Sequence, residues 1–207
     1  YLLRLVRGLE NSLRLNDFCR LAVLDEVALG CPAGPVVAAA VVLPQDRLIP
    51  GVDDSKRLDA ADRERLAAVI RRQAEAVAIG VVSADTIDRI NILQATRRAM
   101  LRCLASLDPK PDLTLVDAVR LDGAPCHCVP LVRGDSVAYA IACASIVAKV
   151  ERDRLMTELD AEYPQYGFSE HKGYAAPAHL EALRTYGPTP SHRLTFRSVI
   201  PRRDPPG

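Results

Sequence analysis

Acidic side chains stand at positions of this sequence where an α/β sheet commonly presents chemistry. Asp25 and Glu26 follow one short apolar run, Asp117 follows another, and Asp135 precedes a long segment of helical character. Carboxylates at strand ends and helix starts can converge at one edge of such a sheet. Because clustered carboxylates repel one another, the pattern predicts a bound cation, and oxygen ligands favour Mg²⁺ or Mn²⁺.

Such a cluster is suited to the hydrolysis of a phosphodiester. Two divalent ions about 3.5–4 Å apart can hold both the attacking and the leaving oxygen of a phosphoryl displacement. Each carboxylate also has a structural alternative, Asp135 as a helix cap and Asp117 as a turn residue. Asp25 and Glu26 carry a geometric condition, because adjacent strand residues point to opposite faces. Both reach one metal site only if the strand bends or ends there.

Alternating strands and helices must position these carboxylates. An early pair of strands is joined by a short Pro/Gly turn, and helices separate the later strands. This order predicts an α/β domain with a mixed central sheet flanked by helices. The predicted strands are 21–24, 36–43, 76–82, 113–116 and 129–132. The predicted helices are 2–15, one capped by Asp59, one from Ser83 to about 107, 137–160, and a short one near 179–184 in a loop-rich region.

Composition limits the class of protein more than its partners. The 207 residues are 49% hydrophobic and 26% charged, which is typical of one globular domain with a sizeable core. The net charge of +1 identifies no partner, although residues 167–203 carry six Lys and Arg against two Glu. That segment is either a phosphate-binding surface or an ordinary solvated one.

Cysteine spacing and charge distribution indicate the compartment. The six cysteines include no C-x-x-C pair, and Cys126-His127-Cys128 lacks a second ligand pair for zinc. Free thiols suit a reducing cytosol. Charges scattered through residues 1–20 exclude a signal-peptide core, and no apolar run is long enough to span a membrane. We therefore expect a cytoplasmic protein without a membrane partner, and monomer as its default state.

Short motifs follow one another in the order seen in a known family. They are Asp25-Glu26-Val27, residues 33–41, residues 53–58, residues 87–96, Leu115-Val116-Asp117, Gly134-Asp135-Ser136, residues 144–150, Arg152-Asp153-Arg154, residues 163–168, His171-Lys172-Gly173-Tyr174 and residues 187–193. From about residue 21 to residue 201, the chain resembles type 2 ribonuclease H, ribonuclease HII. So many ordered blocks make chance similarity very improbable.

The resemblance implies a fold, a reaction and a substrate class. It implies an RNase H-like domain over residues 1–163 and a small helical C-terminal extension over 164–207 that contributes to substrate binding. It implies hydrolysis dependent on Mn²⁺ or Mg²⁺ that leaves a 3′-hydroxyl and a 5′-phosphate. The implied substrates are RNA–DNA hybrids and DNA duplexes with embedded ribonucleotides, cut on the 5′ side of the ribonucleotide.

The resemblance also implies roles for individual residues. Asp25, Glu26, Asp117 and Asp135 match the four metal-binding catalytic carboxylates of the family. Tyr174 matches a tyrosine that stacks on the sugar of the DNA nucleotide after the ribonucleotide. The other predicted substrate contacts are Gly30, Lys56, Ser145, Lys149, Lys172 and Arg193. Asp153 resembles a structural residue rather than a ligand.

One turn departs from the family pattern. Where the family has Gly-Arg-Gly, this chain has Ala28-Leu29-Gly30. A Cβ at Ala28 disfavours a positive φ or a close approach of the ribonucleotide, and Leu29 removes a cation. The alternative to an active nuclease is therefore a weakened or catalytically silent member that binds hybrids. A phosphoesterase for small molecules is a third reading, against which the Tyr174 motif speaks.

Overall fold

The structure is a computed structural model that describes residues 20–44, 48–117, 119–131 and 139–199. Within these ranges the strands are β1 (Leu21–Val27), β2 (Val36–Val42), β3 (Ala76–Val82), β4 (Leu113–Asp117) and β5 (His127–Leu131). The helices are α1 (Ala60–Gln73), α2 (Ala84–Ile90), α3 (Ile92–Ser106), α4 (Tyr139–Glu162), α5 (Phe168–His171) and α6 (Pro177–Tyr186). A 3₁₀ turn covers Pro164–Tyr166.

The strands form one mixed sheet, as predicted. Its order is β3-β2-β1-β4-β5. The β2 strand runs antiparallel to both β1 and β3, whereas β4 runs parallel to β1 and β5. The early hairpin and the later crossovers were both expected from the spacing of the apolar runs.

Helices cover both faces of the sheet, which explains the unbroken apolar run of β2. Leu21 and Val23 lie in a core with α4, while Ala22 and Leu24 lie in a second core with α3. Helix α3 approaches the sheet so closely that a Cβ on Gly80 would lie 2.0 Å from the carbonyl oxygen of Ala99. A strand buried on both faces has no polar alternation, because neither side meets water.

Several predicted elements are confirmed, and the helix predicted from Ser83 is not. Asp59 caps α1 by accepting a hydrogen bond from the Asp62 amide at 2.8 Å, and β3 has its predicted bounds. The single helix predicted from Ser83 is two helices, because Asn91 adopts a φ of +65°. The Asn91 side chain accepts a hydrogen bond from the Gln94 amide and so begins a new helix.

The C-terminal part packs as a small helical layer against α4. Met156, Tyr166, Phe168 and Leu183 share a third core. The region after α4 was predicted to be loop-rich with one short helix, but residues 164–171 are mostly helical as well. A domain boundary near residue 163 stays a prediction. The predicted helix 2–15 and the tail 201–207 lie outside the described residues.

In the described part of the chain, no helix combines the length and apolar character needed to cross a membrane. The cysteines described there, Cys31, Cys103, Cys126, Cys128 and Cys143, are free thiols.

Candidate active site

Two of the predicted carboxylates emerge side by side from the centre of the sheet. Leu24 of β1 pairs with Val116 of the parallel strand β4, so Asp25 and Asp117 are the next residues on neighbouring strands. Alternation along each strand places both on the face covered by α4. Asp25 is buried and Asp117 is half-buried. The pairing register therefore brings together two residues that are far apart in sequence.

Glu26 follows Asp25 within β1, which neither ends nor breaks before it, so the strand itself does not meet the condition for turning both carboxylates to one face. The strand continues to Val27, so the expectation that it would stop at Asp25 and Glu26 is wrong. The Asp25 carboxylate accepts a hydrogen bond from the Glu26 amide at 2.8 Å. Burial, followed by the charges of Asp25 and Asp117, raises the pKa of Glu26 to about 8. The three carboxylates thus share one electrostatic environment.

The donor set fits a divalent cation. The Oε2 atom of Glu26 is buried and has no hydrogen-bond partner among the described residues. A buried carboxylate oxygen is costly to leave unpaired, and a bound cation would satisfy it. The described residues contain no group of three or more His, Cys, Asp or Glu arranged to hold a metal ion. The predicted fourth ligand, Asp135, lies outside them, within residues 132–138.

A polar loop carries Lys56 to the edge of this site. The positive charge of Lys56 lowers the pKa of Glu26, in opposition to the effects above. The Lys56 amide donates to Asp54 Oδ1 at 2.9 Å. Arg63 holds the same loop from α1 by donating to the carbonyl oxygens of Ser55, at 3.1 Å, and Leu58. Among the described residues, Lys56 is thus a cation whose charge acts on the Glu26 carboxylate.

Ser145 lies beneath that loop rather than at an open surface. Its hydroxyl is 2.8 Å from the Ser55 hydroxyl, and both side chains are buried. In this position Ser145 fixes the Lys56 loop to α4. A direct contact between Ser145 and substrate stays a prediction.

Tyr174 presents an aromatic ring beside cations. The residue is 46% exposed, and both Lys149 Nζ and the Arg152 guanidinium lie 5.6 Å from its ring centroid. Lys149 also donates to Asp153 Oδ1 at 2.7 Å, and Lys172 donates to Thr157 Oγ1 at 3.2 Å. An exposed ring with adjacent positive charge suits stacking on a nucleotide next to its phosphate.

The Arg193 side chain, predicted to contact substrate, lies inside the protein. The residue is fully buried and donates to the carbonyl oxygens of Ala28, Leu29 and Gly34 at 2.8, 3.1 and 3.0 Å. Burial lowers its pKa to about 10. The guanidinium supports the turn in this position, and its Nη2 atom has no hydrogen-bond partner among the described residues. A direct contact between Arg193 and substrate stays a prediction.

The turn held by Arg193 contains the atypical residues. Ala28 adopts a φ of +76°, a conformation that favours glycine. Leu29 is 45% exposed. Gly30 is exposed, and a Cβ added there would meet no atom within 4 Å, so a ligand can approach its backbone.

Replacing Ala28 by Gly is expected to stabilise the protein. Relief of the left-handed conformation is worth about 1–2 kcal/mol, and the greater freedom of glycine in the unfolded chain removes about half of that. We expect an increase of about 2–3 °C in Tm by thermal denaturation. Ala33→Gly is the matched control, since Ala33 is buried in the same turn without a positive φ, and it should lower Tm. A lower Tm for Ala28→Gly would contradict the predicted strain.

Sequence reasoning missed a histidine network behind Tyr174. The Nδ1 atom of His192 accepts from the Thr189 amide at 2.9 Å, so its Nε2 carries the proton. That Nε2 donates to His179 Nε2 at 3.0 Å, and His179 Nδ1 donates to the Tyr174 carbonyl oxygen at 2.7 Å. Both rings are neutral in this arrangement. The only local signal was the position of these histidines in motifs of the C-terminal region.

Acidification should lower the free energy of unfolding through the His179–His192 network. Burial lowers the pKa of His179, and it lowers that of His192 from its ordinary 6.5 to about 4. Between about pH 6.5 and 4 these histidines are protonated in the unfolded chain but remain neutral in the folded chain. The free energy of unfolding therefore falls as pH drops through this range. Thermal denaturation across this range measures the slope. His192→Asn should flatten it and the exposed His127→Asn should not; equal slopes in all three proteins would exclude the network as its cause.

Comparison with known proteins identifies the chain. The sequence model of the family described as ribonuclease HII matches residues 23–199. This protein belongs to the ribonuclease HII family. As a member of that family it is a metal-dependent endoribonuclease of the ribonuclease H type.

The relatives of this ribonuclease HII match it over most of its length. Ribonuclease HII of Ruminiclostridium cellulolyticum is 51% identical over 181 residues, which cover 87% of this chain and 71% of the relative. Ribonuclease HII of Geobacillus kaustophilus is 52% identical over 190 residues, which cover 92% and 73%. The crystal structure of ribonuclease H2 from Pyrococcus horikoshii OT3 has a TM-score of 0.75 at 24% identity, covering 87% of this chain and 95% of that one. The predicted RNase H-like fold is confirmed.

Proposed function

We propose that this ribonuclease HII hydrolyses the RNA strand of RNA–DNA hybrids and also cuts at ribonucleotides embedded in duplex DNA. The observation that carries the proposal is the buried Glu26 Oε2 atom, which has no hydrogen-bond partner in the described part of the chain and feels the charges of Asp25 and Asp117. In this proposal Asp25, Glu26 and Asp117 would hold divalent cations together with Asp135, and Lys56 would lie next to the bound phosphodiester. We further propose a two-metal-ion reaction leaving a 3′-hydroxyl and a 5′-phosphate, in a monomeric cytoplasmic enzyme.

The protein groups have separable roles in this reaction. Asp25, Glu26 and Asp117 would hold Mg²⁺ or Mn²⁺, with Asp135 as the predicted fourth ligand. When bound, the ions activate water and neutralise charge on the leaving 3′-oxygen. Lys56, held by its loop, offers positive charge to the phosphate. The negative charge of the carboxylates repels the phosphate of the substrate until bound metal ions neutralise it. Metal binding is therefore a condition for substrate binding.

Substrate selection rests on the turn and on Tyr174. The open backbone at Gly30 can approach a ribose closely, where a 2′-hydroxyl distinguishes RNA from DNA. The exposed ring of Tyr174 can stack on the adjacent sugar. Together they would read a junction between a ribonucleotide and DNA.

A cleavage assay tests the proposal. The purified protein is given a labelled duplex with one embedded ribonucleotide, a full RNA–DNA hybrid, and an all-DNA duplex, each with Mg²⁺ or Mn²⁺. We expect cleavage of the first two substrates, with a cut on the 5′ side of the embedded ribonucleotide and a 5′-phosphate on the product. Cleavage of the full hybrid alone would remove junction recognition from the proposal. No cleavage by folded protein with either metal would favour the silent binding protein.

The atypical turn is the observation that favours that alternative. The strained Ala28 and the apolar Leu29 stand next to the carboxylates. If the native chain is silent, restoring Gly and Arg at positions 28 and 29 together should recover cleavage. Failure of that double variant to cut would place the defect outside the turn.

Leu29→Arg alone should strengthen duplex binding and its salt dependence. One added phosphate contact steepens the slope of log K against log salt concentration by about 0.9. Fluorescence anisotropy with a labelled duplex between 50 and 200 mM salt measures this slope. Ala105→Arg adds the same charge to an exposed position at the far end of α3 and should leave the slope unchanged. Equal slopes for Leu29→Arg and the native chain would place residue 29 away from the duplex.

A further inference from the structure

Buried guanidinium groups hold the turn that precedes β2: Arg152 donates to the Ala33 carbonyl oxygen at 3.3 Å, and Arg193 holds the residues on either side of it. Arg193 donates to the carbonyl oxygens of Ala28, Leu29 and Gly34, and its own amide donates to the Pro32 carbonyl oxygen at 2.7 Å. The backbone of the turn itself contributes one long hydrogen bond of 3.5 Å, from the Cys31 amide to the Ala28 carbonyl oxygen. The conformation of this turn therefore depends on a residue 165 positions away from Ala28.

These bonds determine which way the neighbouring amides point. In a trans peptide the carbonyl oxygen and the following N–H lie on opposite sides of the chain. Because the carbonyl oxygens of Ala28 and Leu29 point inward to Arg193, the amides of Leu29 and Gly30 point away from it. Leu29 and Gly30 are both exposed, and neither amide donates a hydrogen bond to any described residue. Two adjacent donors thus face solvent beside the carboxylate site.

Outward donors of this kind bind an oxygen atom of a ligand. Successive backbone amides form a concave site for anions and hydroxyl oxygens. The buried charge of Arg193 behind the turn adds to the positive potential there, since a pKa near 10 leaves the side chain charged at neutral pH. Arginine suits the position because its rigid fork supplies several donors to separate carbonyl groups, whereas lysine offers one compact ammonium.

We propose that Arg193 is a positioning residue for ribose recognition: it turns the Leu29 and Gly30 amides outward to the ribonucleotide. The proposal rests on the function proposed above, in which this turn contacts the ribose. It reassigns Arg193 from a phosphate contact to the support of the turn. It also makes the C-terminal segment, rather than β1 alone, responsible for the geometry of the recognition site.

Binding rather than cleavage provides the test, so that it stands apart from catalysis. With Ca²⁺ in place of Mg²⁺ or Mn²⁺, dissociation constants are measured for a duplex with one ribonucleotide and for the all-DNA duplex of the same sequence. The native protein should prefer the ribonucleotide. Arg193→Met should reduce that preference about tenfold, the effect of a lost or misdirected hydrogen bond pair. Arg193→Lys should retain part of it, because an ammonium can still hold a carbonyl group.

A matched control separates positioning from general destabilisation. Leu183→Ala removes a side chain from the third core, which includes Ala33 but none of the carbonyl groups that Arg193 holds, and it should lower Tm while keeping the ribonucleotide preference. Hydrogen exchange followed by mass spectrometry should show faster exchange at residues 29–34 in the Arg193 variants and unchanged exchange there in Leu183→Ala. If Arg193→Met does not fold, Arg193→Lys decides the question by the same two measurements.

Three results would overturn the proposal. They are an unchanged preference in the Arg193 variants, an equal loss in Leu183→Ala, and no ribonucleotide preference in the native protein. Failure of the proposed function would give a different result. In that case native protein would not cut hybrids with Mg²⁺ or Mn²⁺, but it would still prefer the ribonucleotide and lose that preference on Arg193→Met. The role of Arg193 would then stand, and hydrolysis would be excluded.

Discussion

Replacing Asp117 by Asn is expected to lower the rate of RNA cleavage about a thousandfold while the fold stays intact. Asp117 follows the residue paired with Leu24 and acts electrostatically on Glu26. The amide removes one negative charge from the proposed ligand set, and a loss of about 4 kcal/mol of transition-state stabilisation corresponds to that factor. Single-turnover cleavage of a full hybrid with Mg²⁺ and with Mn²⁺ measures the effect.

The same strand offers a matched control at its opposite end. Asp112 precedes β4 and accepts a hydrogen bond from the Arg20 amide at 2.8 Å, which the Asn oxygen can also accept. Asp112→Asn therefore makes the same chemical change away from the site and should cut at the native rate. Circular dichroism and Tm would show both variants folded. Mn²⁺-dependent cleavage at the native rate by Asp117→Asn would remove Asp117 from the site.

Replacing Glu26 by Gln is expected to stabilise the metal-free protein and to abolish its stabilisation by metal. The Glu26 carboxyl group is buried beside Asp25 and Asp117, and one of its oxygens lacks a partner among the described residues. The amide is neutral without taking up a proton, so it avoids the free-energy cost of keeping Glu26 protonated in the folded protein. A gain of about 1–2 kcal/mol would raise Tm by about 4 °C in a protein of this size.

The pH dependence of that gain follows from the pKa of Glu26. Because burial raises this pKa from 4.5 to about 8, the unfolded chain releases a proton that the folded chain keeps. The metal-free native protein therefore loses stability as pH rises from about 4.5 to 8, and Glu26→Gln removes this loss. The difference in Tm should be larger at pH 8 than at pH 5.

Thermal denaturation with EDTA, and then with Mn²⁺, completes the test of Glu26. Native protein should gain stability on adding Mn²⁺, since a ligand bound only by the folded state raises Tm. Glu26→Gln should gain little. Glu75→Gln changes an exposed carboxylate before β3 and should behave as the native chain in both conditions. An equal Mn²⁺ shift in native protein and in Glu26→Gln would exclude Glu26 as a ligand.

Much of the site could be predicted because its signals are local. An apolar run followed by Asp25 and Glu26 predicts a strand that delivers carboxylates to a sheet edge. An Asp directly before a helical segment predicts a cap, and Asp59 is one. The order of the motifs was sufficient for the family, since each motif is a few adjacent residues. Local patterns also defined β3 and most of β2.

Other features could not be predicted because they depend on partners far along the chain. The Ser145 hydroxyl has the Ser55 hydroxyl as its partner, 90 residues away, and no local motif signals that contact. The break at Asn91 depends on one backbone dihedral angle that helical periodicity does not encode. The neutral state of His179 and His192 follows from hydrogen bonds that only the packed C-terminal extension creates.

The sequence by itself determined the family, the sheet and the carboxylates that make this protein a ribonuclease. Only the tertiary structure decided what supports them. Side-chain type specifies the charge and the donors of Arg193, but burial and the position of the Ala28–Gly34 carbonyl groups decide whether those donors face a phosphate or a turn. The family could be identified from the types and order of the residues. The role of an individual side chain depends instead on the groups that folding brings within hydrogen-bond distance, about 3 Å.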